Sequence, residues 1–86
     1  MDGYFIVILS DPDAQVLRTR LTRDPGLHPG THACEPATEH LLYFELCNDA
    51  ETACRRERQL RHWNRARRAH LISTMNPLWR DLRSLW

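Results

Sequence analysis

Tyr4-Phe-Ile-Val-Ile-Leu-Ser10 is an unbroken run of apolar, β-branched and aromatic residues. Such a run belongs in a buried strand. A chain of 86 residues can build only one small domain with a thin core around it. Asp11-Pro-Asp13 then makes a turn. Residues 16–22 alternate weakly and predict a second strand, antiparallel to the first. Arg18 and Arg20 share one face of it, so that face is not simply core.

Between 23 and 40 the periodicity fails. Pro25, Gly26, Pro29, Gly30 and Pro36 interrupt any helix, and an irregular loop with at most one helical turn is expected. Leu41-Leu-Tyr-Phe-Glu-Leu46 reads as a third strand. Asn48 and Asp49 offer N-caps for a helix from about 50 to 63, and Asn48 with Glu51 resembles a capping box. A second helical segment covers 66–75, and Asn76-Pro77 stops it. Residues 78–85 add a last helical turn, with Trp79 and Trp86 as packing groups. The order β-β-loop-β-α-α predicts an α+β domain over residues 2–79, a small three-stranded antiparallel sheet flanked by helices. Residues 80–86 form a C-terminal tail.

Charge divides along the chain. The net charge is +1, but residues 1–53 set three arginines against nine acids, a net −6. Residues 54–86 set nine arginines against Glu57 and Asp81, a net +7. A basic half of this kind favours polyanions, although its arginines could equally pair with the acidic half. Every basic residue is arginine, the side chain suited to bidentate phosphate contact.

One position inside the basic half breaks the pattern. Stepping about 100° per residue from Ala50 puts Ala53, Cys54, Leu60 and Glu57 on one side of the helix, with Glu57 near the middle. A lone acid on the apolar side of a helix is costly unless a cation meets it. That cation is either an arginine from elsewhere in the fold or a metal ion. A metal would point to phosphodiester chemistry.

Cys34, Cys47 and Cys54 are odd in number and unremarkably spaced, which predicts no disulfide framework and a reducing setting. His28, His32, Cys34 and His40 do not match a common closed zinc pattern. The N-terminus lacks the features of a signal peptide, and its apolar run is too short to span a membrane. A soluble, cytoplasmic protein is expected.

Several motifs together resemble a known family. Gly3-Tyr4, Val7-Ile-Leu-Ser10 and Leu41-Leu-Tyr-Phe-Glu45 come first. Ala53-Cys-Arg-Arg-Glu-Arg-Gln-Leu-Arg-His-Trp63 and Met75-Asn-Pro-Leu-Trp-Arg-Asp-Leu82 follow. This set is similar to the small single-domain GIY-YIG nucleases, which resemble the N-terminal catalytic domain of the excinuclease of DNA excision repair. The resemblance implies a short antiparallel sheet with flanking helices and metal-assisted hydrolysis of a DNA strand. In that chemistry a helix glutamate holds one divalent cation, usually Mg²⁺. Two strand tyrosines sit near the attacking water, and an arginine and a histidine serve the phosphate.

Carried over by position, the metal ligand falls at Glu57, the late asparagine at Asn76 and the histidine at His32. The first tyrosine falls at Val7, the Tyr-x-Gly at Arg18-Thr19-Arg20, and the arginine at His28. Valine cannot take a proton, and Arg18 can steady a phosphate but not act as a base. The resemblance therefore implies a catalytically impaired endonuclease-like domain. It would keep DNA binding through Arg55, Arg56, Arg58, Arg61, Arg65, Arg67 and Arg68, with any preference for branched or nicked DNA inherited from the family. Two alternatives stand beside it. One is a working Mg²⁺-dependent nuclease using Glu57 for metal, His28 or His32 as base and Arg18 as clamp. The other is a small interaction module without nucleic acid.

Overall fold

The computed structural model describes residues 3–24 and 39–85. Its elements are β1 (Tyr4–Ser10), β2 (Leu17–Thr22), β3 (His40–Cys47), α1 (Ala50–His62), α2 (Arg65–Met75) and a closing 3-10 turn, Leu82–Leu85. The fold is α+β: a three-stranded antiparallel sheet, ordered β2-β1-β3, with two helices. The apolar run is the central strand, flanked on both edges.

Strand alternation gives the sheet two different sides. Ile6 and Ile8 point towards the helices. Ile6 packs with Ala53 and Leu60 of α1, and Ile8 packs with Leu17, Leu42, Tyr43 and Ile72 of α2. Val7 and Leu9 point the other way and pack with Leu41, against Phe5, Phe44 and Leu82. The β1–β3 register shifts after Ile8, which faces Tyr43 while Leu9 faces Leu41. Leu42 is the extra residue of this bulge and joins Tyr43 on the helix side.

Local chemistry sets the helix ends. Asp49 is the N-cap of α1; its carboxylate accepts from the Thr52 backbone N–H at 2.8 Å and from the Thr52 hydroxyl at 2.9 Å. These bonds hold the Asp49 carboxyl below the usual range. Trp63 and Asn64 are extended and form an elbow, and the Asn64 side chain caps α2 by accepting from Arg67 N–H at 2.9 Å. Asp11 closes the β1–β2 turn by accepting from the N–H groups of Gln15 and Val16. That turn holds Ala14 at a φ of 57°.

Residues 81–83, assigned from the sequence to the tail, are tied to the sheet. Asp81 accepts from the Leu41 N–H at 3.0 Å, and Arg83 donates to the Glu39 carbonyl. Among the described residues no helix is long and apolar enough to cross a membrane.

Candidate functional site

Glu57 lies on the buried side of α1 with Ala53 and Leu60, and is 7% exposed. Cys54, expected on the same stripe, is exposed. The buried stripe is centred on Ala53, Glu57 and Leu60, because α1 lies chiefly against β1 and β2. Both Glu57 oxygens are taken by a single guanidinium. Arg61 donates from Nε to Oε1 at 3.0 Å and from Nη2 to Oε1 at 2.6 Å and Oε2 at 2.5 Å. Arg61 is one turn along the same helix and 63% exposed in its side chain, so it reaches in from solvent. Glutamate four residues before a cation is the favourable order on a helix.

A Mg²⁺ ion at Glu57 would have to displace Arg61. Mg²⁺ takes hard oxygen donors, commonly one or two carboxylates with waters and phosphates. Here the carboxylate already accepts from a cation. Among the described residues no three acidic, histidine or cysteine side chains converge as a metal site.

Val7, Arg18 and Arg20 belong to the opposite side of the sheet. Arg20 stands beside Val7 in register, and Arg18 beside Leu9. Arg18 pairs with Glu39 at 3.3 Å, and Arg20 reaches the same carboxylate at 3.9 Å. Val7, Leu9, Leu41, Arg20, Glu39 and Arg83 border a shallow cavity of about 150 Å³ on this side. Glu57 and Arg18 are thus separated by the sheet and cannot serve one phosphate. His28 and His32 lie outside the described residues, as does Cys34.

Asn76 is a clamp. It is 5% exposed, and its Nδ2 donates to the carbonyls of Leu42 at 3.1 Å and Arg80 at 2.7 Å. Its Oδ1 accepts from the Arg80 N–H at 3.1 Å. Both amide N–H groups and the amide oxygen are engaged in holding the 76–80 turn to the bulge of β3. Within this turn Trp79 adopts a φ of 54°, and its indole N–H donates to Ser73 Oγ at 3.1 Å.

The seven arginines divide by what they already bind. Arg56 grips Glu45 through Nε at 3.0 Å and Nη2 at 2.9 Å, and the Tyr43 hydroxyl donates to the same carboxylate at 2.6 Å. Burial alone would raise the Glu45 pKa, but the bonds from Arg56 and Tyr43 outweigh it and hold the carboxyl below its usual range. Burial and the neighbouring Glu45 push the Tyr43 phenol well above its usual range. Arg61 is held by Glu57. Arg65 donates to the Ala14 and Gln15 carbonyls, and Arg68 to that of Leu17, so both hold α2 to the β1–β2 hairpin. Arg55 pairs with Glu51 at 3.0 Å in full solvent, where such a pair is weak. Arg67 lies over the Trp63 ring at 4.2 Å. Arg58 is exposed and has no ion pair among the described residues.

The motifs do not point to the Tyr43-Glu45-Arg56 network. One signal for part of it is local: residues two apart on a strand share a face, so Tyr43 and Glu45 are bound to be neighbours.

Compared with protein-family models, curated proteins and solved structures, this chain matches none.

Proposed function

We propose that this chain is a GIY-YIG-like domain that contacts DNA through its phosphates and does not cut it. The observation that carries the reading is the division across the sheet. Glu57 is neutralised by Arg61 on the helix side, while Arg18 and Arg20 share Glu39 on the other. Among the described residues the positions that the resemblance assigns to metal, tyrosine and phosphate, Glu57, Val7 and Arg18, do not meet at one point, which supports the non-cleaving reading. DNA contact then rests on Arg55, Arg58 and Arg67, the exposed cations of α1 and α2 that no buried acid or backbone carbonyl holds. Three phosphate contacts would make log K fall against log salt with a slope of roughly −2.7.

The test uses the whole protein with plasmid and branched DNA in Mg²⁺ and in Mn²⁺, beside Glu57→Ala. We expect no cutting by either protein, and duplex binding that weakens steeply with salt. Cutting that Glu57→Ala abolishes would overturn the non-cleaving part. Absence of binding at low salt would remove nucleic acid and leave an interaction module.

A further inference from the structure

Five residues from three elements form a continuous chain of contacts that ends on an unspent cation. On β3 the Tyr43 hydroxyl and the Glu45 carboxylate are 2.6 Å apart. Glu45 fixes the Arg56 guanidinium of α1 by two parallel bonds. That guanidinium lies 5.4 Å from the centre of the Trp63 ring at the elbow. Trp63 is half-buried and packs against the cluster of Ile6, Ala53 and Leu60. The Arg67 guanidinium of α2 lies over the same indole at 4.2 Å.

Two guanidiniums on one ring repel each other, and Glu45 offsets one of them. Arg67 keeps its positive charge. It is exposed, and its guanidinium donates to no described residue. A guanidinium held over an indole can keep N–H groups free at its edge, and that edge matches two phosphate oxygens. The stack also removes rotamer freedom before any ligand arrives, so less entropy is lost on binding.

We propose that Trp63 is a positioning residue that makes Arg67 the principal phosphate contact of this surface. The inference rests on the DNA-binding reading above and sharpens it. Arg58 supplies the internal contrast: it is also exposed and cationic, but no ion pair or ring contact with a described residue orients it.

The experiment measures binding of a fluorescein-labelled 20-base-pair duplex by anisotropy in 20 mM salt, with folding of each variant checked by circular dichroism. Arg67→Lys keeps the charge but loses the planar guanidinium over the ring and the fork. It should weaken binding about five-fold, the factor matching roughly 1 kcal/mol of side-chain ordering that the stack no longer supplies in advance. Arg58→Lys should change affinity by less than about two-fold, because it alters no stack. Trp63→Phe should retain most of the affinity. Trp63→Leu should weaken binding by a similar factor of about five, and Arg67→Lys should cost nothing further in that background. Equal losses for Arg67→Lys and Arg58→Lys would overturn the proposal while leaving DNA binding in place. If the unmodified protein fails to bind the duplex, both readings fall together. Should Trp63→Leu fail to fold, the two lysine variants and Trp63→Phe still decide.

Discussion

The two sides of the sheet are built from alternate residues of the same strand, yet they differ in kind. On the helix side, Ile6 and Ile8 meet Ala53, Leu60 and Ile72, and the acid between them, Glu57, is closed off by Arg61. On the other side, Val7, Leu9 and Leu41 form a smaller cluster beside Arg18, Arg20 and Glu39, which stay near solvent. The family resemblance gathers Glu57, Val7, Arg18 and Arg20 into one centre. A side-chain period of two in β1 and β2, with α1 on one face only, divides them. Matching motifs along a chain therefore do not guarantee a shared site.

The largest effect that can break this comparison comes from neighbouring positions on β1. Ile8→Ala should cost about 4 kcal/mol, since Ile8 is fully buried between the sheet and α2. Val7→Ala should cost about half as much, because it removes one carbon fewer and its side is backed by fewer groups. Urea denaturation measures both, and equal losses would mean that the two sides are equivalent cores.

Asn76→Ala should cost about 3 kcal/mol by the same measurement, because it strips partners from the Leu42 and Arg80 carbonyls and the Arg80 N–H. A loss below about 1 kcal/mol would mean that the clamp is incidental.

Acid should act on the helix side through Glu45. A carboxyl whose pKa is depressed on folding binds fewer protons in the native chain than in the unfolded one. Its contribution is present above the unfolded value of about 4.3 and is lost as pH falls through the lower folded value. The melting temperature should therefore drop below about pH 4, and Glu45→Gln should show a shallower drop over the same range. Identical acid limbs would exclude Glu45 as the cause.

A smaller change is expected at Glu57. Replacing a buried ion pair by an apolar residue is often neutral or stabilising, and Arg61 can swing back to water. Glu57→Leu should lie within about 1 kcal/mol of the original chain or above it. A loss of several kcal/mol would show that the pair holds the helix side together. The smallest effect belongs to Ala14, where a φ of 57° favours glycine. Ala14→Gly should raise stability by about 0.5 kcal/mol, and a clear loss would contradict strain at that turn.

Much of the architecture is legible in the residues. The apolar run is β1, residue for residue, and the N-cap of α1 and the Asn76-Pro77 stop of α2 go with helix spans expected to within a residue. The buried position of Glu57 follows from helical spacing. Its partner does not: the expected cation is an arginine from elsewhere in the fold or a metal ion, and Arg61, one turn along the same helix, takes the carboxylate instead. A helical wheel misplaces Cys54 because it gives relative angles and not the direction of the sheet. Asn76 enters from a motif as a site residue. Its bonds to Leu42 and Arg80 are invisible in sequence because they join distant segments or depend on an irregular turn.

The chain's own pattern of apolar runs, breakers and caps settled the elements, because these are local: periodicity, missing N–H groups and first-turn hydrogen bonds act within a few residues. Only tertiary packing decided which strand face the helices cover, which arginines are consumed internally and where Glu57 finds its counter-charge. Those outcomes depend on long-range contacts that desolvate one set of side chains and leave an alternating, chemically similar set in water.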